Sequence, residues 1–196
     1  MAYRIIATGT LRSGKTTLLN TLKNDSRVVI VPEVAQDLID LHGYSVTQRP
    51  EFQDMVFAEQ LHREKVASQS GKEIIICDRG TVDIVAFSQI IGHEIKAAWE
   101  ENLHNRYDAA ALFNPDDIHF QPSEYSVSFD MAEYRARIHN KILEVVQQVG
   151  LPILEIAGPH EERLAFMQSF LREISLREGN ALQKDGGFPH QYSKER

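Results

Sequence analysis

A glycine-rich segment near the start of the chain has the spacing of a loop that binds phosphate groups. Residues 9–16 read G-x-x-x-x-G-K-T. Gly9 and Gly14 permit backbone angles that turn successive N–H groups inward, where they form a concave nest for phosphate oxygens. Lys15 adds a positive charge for the β- and γ-phosphates, and the Thr16 hydroxyl is a ligand for Mg²⁺. The pattern therefore predicts that a nucleoside triphosphate binds here.

The sequence around this loop supports that interpretation, because the motif needs a strand before it and a helix after it. An apolar run over 3–8 precedes the loop, and helical spacing follows it over 17–22. The alternative is a turn that keeps the pattern but binds nothing. The residues expected to contact the nucleotide are Gly9, Thr10, Leu11, Arg12, Ser13, Gly14, Lys15, Thr16 and Thr17.

An acidic residue after the third predicted strand is a second candidate ligand for a metal ion. The apolar run 73–77 ends at Asp78, and ligands of parallel sheets bind beyond the carboxyl ends of the strands. A carboxylate in that place holds Mg²⁺ directly or through water. The alternative is that Asp78 caps the helix predicted over 81–91. We expect Thr16 and Asp78 to be the metal ligands.

Three further charged residues are placed where they could act on a triphosphate. Glu33 follows the second predicted strand and is a candidate general base or hydroxyl anchor, or else a first-turn carboxylate that favours the helix dipole. Arg79 either contacts substrate or phosphate or forms a salt bridge at the sheet end. Arg12, inside the loop, either reaches the transferred phosphoryl group or is an exposed cation. Together with Lys15 and Asp78, these are the candidate catalytic residues.

Composition limits the partners and the compartment of the chain. Its 196 residues are 42% hydrophobic and 25% charged, which is typical of a globular domain. The formal net charge of -7 argues against a nucleic-acid partner, which needs a basic surface. The single cysteine, Cys77, allows no intrachain disulfide. We expect a cytoplasmic protein with no membrane segment, because no apolar run approaches about 18 residues, and no signal peptide.

Apolar runs alternate with helical periods along the chain, which predicts βαβ units and a parallel sheet. We expect an α/β fold: the three-layer sandwich of P-loop nucleoside triphosphatases, with a five-stranded parallel sheet and helices on both faces. The predicted strands cover residues 3–8, 27–31, 73–77, 107–113 and 151–157. The predicted helices cover residues 15–23, 34–41, 81–91, 93–104, 129–149 and 160–177, and a further long helix has Pro50 at its first position.

Two segments are predicted to lie outside this framework. Residues 114–128 are polar and resemble a lid loop, and the helix after them carries Arg135 and Arg137. These two arginines point to different helix faces, so at most one reaches the nucleotide, and which one stays open. Residues 179–196 lack periodicity and are expected to form a flexible tail. A single nucleotide-binding domain would then cover residues 1–178.

These motifs resemble those of P-loop small-molecule kinases. The resemblance is greatest to the AAA-type ATP-binding group that includes the nicotinamide riboside kinase domain of bacterial bifunctional proteins, and it covers about residues 3–177. Beside the phosphate loop, it rests on Glu33 at the head of a helix, on the Asp-Arg-Gly stretch with its following Asp over 78–84, and on 107–115.

The sequence also departs from these relatives at two places. Residues 116–122 contain no arginine, whereas nicotinamide riboside kinases carry one in the acidic stretch after the fourth strand. Leu11 stands where thymidylate kinases with a loop arginine have an aspartate.

The resemblance implies a kinase in which ATP, with Mg²⁺, donates its γ-phosphoryl group to a hydroxyl of a nucleoside-like or other small metabolite. The alternatives are a regulatory ATPase or GTPase that acts through a protein partner, and a scaffold without turnover. The sequence lacks the Asn-Lys-x-Asp motif of guanine switches and the Leu-Ser-Gly-Gly motif of transport ATPases. The acceptor, the choice between ATP and GTP, and the oligomeric state, a homodimer included, stay open.

Overall fold

Five parallel strands form the centre of the molecule, and the first of them leads into the phosphate loop. The computed structural model describes residues 2–114 and 131–181. The strands are β1 (Tyr3–Gly9), β2 (Val28–Val31), β3 (Ile74–Asp78), β4 (Ala109–Phe113) and β5 (Ile153–Ile156). They pair in the order β2-β3-β1-β4-β5, all in parallel. The loop that follows β1 therefore lies at the middle of the carboxyl edge of the sheet.

Helices cover both faces of this sheet. They are α1 (Lys15–Leu22), α2 (Val34–His42), α3 (Phe52–Ser68), α4 (Thr81–Ile91), α5 (Ala97–Glu101), α6 (Met131–Val149) and α7 (His160–Ala181). Alternate strand residues face opposite sides. Ile6 packs in one core with residues of α3, α4 and α6, and its neighbour Ile5 packs in a second core with residues of α1 and α7. The predicted α/β sandwich is thus confirmed.

The central strands are buried on both sides, which explains why their sequences are uniformly apolar. Every residue of β3 and of β4 is buried, as expected of parallel strands that helices cover on both faces. In the described ranges, no helix combines the length and the apolar character that crossing a bilayer requires.

Two local predictions differ from the structure, and one local element was not predicted. The polar stretch before α3 contains a 3-10 helix, Tyr44–Gln48, because Val46 is buried in the core. The helix expected to start at Pro50 begins at Phe52. The helix expected over 93–104 is only the short α5, which Trp99 anchors in the core. In the 3-10 helix and in α5, a buried side chain, Val46 or Trp99, joins the segment to the core.

The remaining predictions concern the lid-like loop, the C-terminal tail and the end of the last helix. The lid-like loop predicted over 114–128 lies outside the described residues from 115 onward, and so does the predicted tail from 182 onward. The last helix was predicted to end at 177, but α7 extends to Ala181.

A buried polar cluster joins α3 to the start of β4. It consists of Gln60, Glu64, Arg106 and Tyr107, and we call it the Glu64 cluster. Glu64 Oε1 accepts hydrogen bonds from Tyr107 Oη at 2.6 Å and from Gln60 Nε2 at 2.8 Å. Glu64 Oε2 forms an ion pair with Arg106 Nε at 2.7 Å. Burial and the Glu64 charge raise the pKa of Tyr107 well above its usual range, so the phenol remains a hydrogen-bond donor.

The Glu64 cluster also holds the turn between β3 and α4, where site residues were predicted. The Thr81 N–H donates to Tyr107 Oη at 2.9 Å, and Gln60 Nε2 donates to the Arg79 carbonyl at 3.3 Å. Gly80 is packed so closely that a Cβ would lie 2.5 Å from Tyr107 Oη. The turn is therefore held by Gln60 of α3 and by Tyr107, which lies just before β4.

We predict that Glu64→Ala lowers the free energy of unfolding by about 3–5 kcal/mol, because it leaves the Arg106 charge and the Tyr107 hydroxyl without their buried partner. Urea unfolding followed by circular dichroism measures the change. Glu59→Ala is the matched control on the same helix: it also breaks an ion pair, with Arg63, but at the surface, where the loss is below about 1 kcal/mol. Equal losses for the two variants would contradict the prediction.

Candidate nucleotide site

The phosphate loop has the backbone conformation for which glycine is needed. Gly9 has φ +135° and Gly14 has φ +84°. Gly9 is also in close contact with β4, since a Cβ there would lie 2.8 Å from the Phe113 carbonyl oxygen. Gly14 directly precedes α1, so the loop ends at a helix N-terminus, which favours anions.

Lys15 is buried inside this loop. Its Nζ donates to the Thr10 carbonyl at 3.0 Å and to Ser13 Oγ at 3.2 Å, and the residue is 4% exposed. Burial, and after it the Arg79 charge, lower the pKa of Lys15 to about 7, although nearby carboxylates oppose the shift. A polyanion beside Lys15 would stabilise the charged ammonium, so binding and protonation are coupled at this residue.

Thr16 and Asp78, the two predicted metal ligands, are in direct contact. Thr16 Oγ1 donates to Asp78 Oδ2 at 2.5 Å. Asp78 is 2% exposed, and burial raises its pKa. Its other oxygen, Oδ1, is buried without a hydrogen-bond partner among the described residues. A hydroxyl beside a carboxylate with an unused oxygen fits a hard cation such as Mg²⁺.

The helix-capping alternative for Asp78 is not what the structure shows. Asp83, in the first turn of α4, accepts a hydrogen bond from the Gly80 N–H through Oδ2 at 3.0 Å. The described part of the chain contains no group of three or more metal-binding side chains. An ion held by Thr16 and Asp78 would therefore take its remaining ligands from phosphate oxygens and water.

Arg79 joins three elements at the carboxyl edge of the sheet. Its Nε forms an ion pair with Glu33 Oε1 at 2.8 Å, and its Nη1 forms one with Asp83 Oδ1 at 3.0 Å. Nη1 also donates to the Gly9 carbonyl at 2.9 Å. The salt-bridge alternative for Arg79 is thus present, and its contact with substrate or phosphate stays a prediction.

Asp83 was not singled out by sequence reasoning as a site residue. It is 1% exposed, and Oδ1 accepts from both Arg79 and the Thr8 hydroxyl, the latter at 2.6 Å. The available signal was its position in the first turn of a helix, one turn after Arg79, where an i,i+4 pair forms.

A cleft of about 130 Å³ opens beside Thr16 and Asp78, the two predicted metal ligands. Glu33 and Asp78 both line it, as does Thr16. Two carboxylates therefore form part of the wall of this cleft next to the phosphate loop. The other lining residues are Leu19, Asn20, Lys23, Ile30, Pro32, Gln36 and Asp37.

The remaining predicted arginines differ in exposure. Arg12 is exposed in the loop with φ +55°. Arg135 is buried on α6, whereas Arg137 is exposed and donates from Nη2 to the Ile90 carbonyl at 3.2 Å. The two lie on different faces of α6, as predicted, and which of them reaches the nucleotide remains open.

Arg163, which sequence reasoning also missed, contacts the phosphate loop from α7. Its Nη1 donates to the Ser13 carbonyl at 2.8 Å, and the residue is 3% exposed. No local pattern marks it, since these two residues are 150 positions apart.

Comparisons with known proteins give a family and a fold for this chain. A family model described as "AAA domain" matches residues 4–163. Curated proteins give no match. Among solved structures, the chain is similar to a crystal structure of NadR protein in complex with NR, with a TM-score of 0.65 and 14% sequence identity. The match covers 88% of this chain but 51% of that one, so the chain spans about half of that protein, and the likeness establishes a shared fold.

We predict that binding of a non-hydrolysable ATP analogue takes up protons at about pH 8. Most Lys15 is neutral there in the free protein, since its pKa is about 7, and the triphosphate raises that pKa. The affinity should therefore fall as the pH rises above about 7. Calorimetry in buffers with different heats of ionisation measures the uptake.

Two variants control this measurement. Lys15→Arg keeps the charge but cannot titrate, so the proton uptake should vanish. Lys15→Ala should greatly weaken triphosphate binding itself. Proton uptake that is absent in the wild type, or unchanged in Lys15→Arg, would show that Lys15 is not the coupled group.

We predict that Asp78→Asn folds normally but loses the Mg²⁺ dependence of nucleotide binding. The amide oxygen can still accept from Thr16, whereas the charge that attracts the ion is gone. Calorimetry of the analogue with and without Mg²⁺ gives the test. Asp54→Asn, which removes a carboxylate from an ion pair with Lys96, should behave as the wild type does. A Mg²⁺ effect that persists in Asp78→Asn would exclude Asp78 as a ligand.

Proposed function

The chain belongs to the AAA domain family of P-loop proteins, and we propose that it is a kinase. In this proposal, Mg-ATP donates its γ-phosphoryl group to a hydroxyl of a nucleoside-like or other small metabolite. The observation that carries the proposal is the cleft beside the phosphate loop, in which Glu33 and the Thr16–Asp78 pair line the same space. A kinase needs an acceptor site of this kind next to its phosphate site.

Different residues would bind the triphosphate and its metal ion. The loop N–H groups and Lys15 bind the triphosphate, as in other P-loop proteins. Thr16 and Asp78 would hold Mg²⁺, which, when bound, neutralises charge on the phosphate oxygens. The buried and unpartnered Oδ1 of Asp78 supports this assignment.

Glu33 is the residue placed to orient the acceptor. Its Oε1 is held by Arg79 at 2.8 Å, which fixes the carboxylate, and among the described residues its Oε2 makes no contact of that kind. We infer that Oε2 accepts the hydrogen bond of the acceptor hydroxyl. As the acceptor oxygen bonds to the γ-phosphorus, the bond from that phosphorus to the bridging oxygen breaks, ADP leaves, and the hydroxyl proton passes to Glu33.

Two further observations support a small molecule as the acceptor. The cleft of about 130 Å³ is lined by residues of α1, of α2 and of the end of β2, and small ligands bind in concave sites of this kind. The structure with the same fold contains NadR protein in complex with NR. Because the chain spans about half of that protein, the identity of the acceptor belongs to the proposal.

We predict that Glu33→Gln lowers phosphoryl transfer by about 10²–10⁴-fold, the range for a lost general base. Binding of ATP should survive, because the phosphate loop and the metal ligands are unchanged. Release of ADP, measured with and without the best acceptor from a panel of nucleosides and other hydroxylated metabolites, gives the rates. Glu144→Gln, which removes an exposed carboxylate from its ion pair with Lys141, is the control and should match the wild type.

The same assay separates the kinase from a regulatory hydrolase. In a kinase, an acceptor raises ADP release, and Glu33→Gln removes that increase while the slow hydrolysis of ATP by water changes little. If no small molecule stimulates the wild type, the kinase assignment is wrong. If the acceptor stimulates both proteins equally, the assignment survives and the role given to Glu33 is wrong.

A further inference from the structure

Arg163 contacts three separate segments at the carboxyl edge of the sheet. Its Nη1 donates to the Ser13 carbonyl at 2.8 Å, its Nε to the Gly158 carbonyl at 2.6 Å, and its Nη2 to the Asn114 carbonyl at 3.3 Å. Ser13 belongs to the phosphate loop, Asn114 follows β4, and Gly158 lies in the turn between β5 and α7. One side chain therefore connects the phosphate loop with the ends of two other strands.

The burial of this side chain makes the arrangement rigid. Arg163 is 3% exposed, and a buried guanidinium is tolerated only when its N–H groups are hydrogen-bonded. Its donors form a planar fork of fixed geometry, so three carbonyls that bind to it are fixed relative to one another. The guanidinium also lies 5.9 Å from the centre of the Phe113 ring, which restricts it further.

The contact with Ser13 controls the direction of a donor in the phosphate loop. The chain has no cis peptide among its described residues, and in a trans peptide the C=O and the following N–H point in opposite directions. A Ser13 carbonyl directed at Arg163 therefore turns the Gly14 N–H away from Arg163. Gly14 has φ +84° and no side chain, so this peptide could otherwise rotate at little cost.

A rotated Ser13–Gly14 peptide would present a carbonyl where a phosphate needs a donor. Lys15 does not prevent this rotation, because it binds the hydroxyl of Ser13 and not the carbonyl. The carbonyl is held from α7, through Arg163. The two cations thus secure different groups of the same residue.

We propose that Arg163 is a positioning residue of the nucleotide site, which keeps the Gly14 N–H directed towards the phosphates. Arg163 need not touch the nucleotide to do this. The inference rests on the proposed function only in so far as the phosphate loop binds nucleotide, and it is independent of the acceptor and of Glu33.

The test compares Arg163→Met and Arg163→Lys with the wild type in two binding measurements. Calorimetry with a non-hydrolysable Mg-ATP analogue reports on the whole site, and calorimetry with tripolyphosphate reports on the phosphate loop alone. We expect Arg163→Met to weaken both ligands by a similar factor of about 10–100, the equivalent of a lost charge-assisted hydrogen bond. Arg163→Lys keeps the charge but not the fork, so its loss should be smaller.

Arg172→Met is the control, because it removes an exposed arginine from the same helix. Circular dichroism and thermal unfolding establish that each variant is folded, and Arg163→Lys decides the result if Arg163→Met does not fold. Folded variants with wild-type affinity, even with a lower Tm, would overturn the inference, since the role would then be structural only. A loss confined to the ATP analogue would also overturn it, because the phosphate loop would be unaffected. A wild type that binds neither ligand would overturn the proposed function as well.

Discussion

The buried charge of Arg79 holds together the residues around the phosphate loop. Its guanidinium lies between Glu33 and Asp83 and also binds the Gly9 carbonyl, so it joins the ends of β2 and β1 to the start of α4. A buried cation must be compensated, and these partners are the residues that the proposed chemistry uses or that adjoin the phosphate loop. Arg79 has φ +70°, a conformation that is unfavourable outside glycine and persists only where the surroundings determine it. Here the Arg79 N–H donates to the Ala7 carbonyl at 3.0 Å, while the Glu64 cluster holds the Arg79 carbonyl from the other side.

A second buried arginine complements the first on the opposite side of the sheet. Arg79 binds the carbonyl of Gly9, where the phosphate loop begins, and Arg163 binds the carbonyl of Ser13, near its end. Arg79 lies over the ring of Phe87, which packs on the core that contains α3 and α4, whereas Arg163 lies over Phe113 in the core that contains α7. Arg79, in the turn before α4, and Arg163, on α7, thus bind the loop from two sides. Both ends of the loop are therefore held through backbone carbonyls.

The parts of this arrangement that could be predicted are those that local sequence determines. The loop glycines, Lys15 and Thr16 occur in one short pattern, and the run 73–77 is apolar enough to identify a buried strand ending at Asp78. Glu33 could be found because it follows another strand. Arg163 could not be found in this way, since its partner Ser13 lies 150 residues away and the contact depends on how the strands are ordered in the sheet. Asp83 had a local signal, its i,i+4 position after Arg79, but its contact with Thr8, 75 residues away, had none. The helix predicted over 93–104 was too long, and the 3-10 helix was missed, for a related reason: burial of Trp99 and Val46 outweighs local propensity.

The ion pair between Arg79 and Glu33 bears on how the carboxylate would act in phosphoryl transfer. In a loose transition state the bond to the incoming oxygen forms late, so the acceptor needs accurate alignment more than early removal of its proton. A carboxylate on a flexible side chain would align a hydroxyl poorly, because it would lose rotamer freedom on each encounter. Glu33 has one oxygen fixed by a guanidinium that is itself fixed by Asp83 and Gly9. The Glu33 side chain therefore loses its rotamer freedom during folding. Its remaining oxygen would then be held beside the cleft before an acceptor binds.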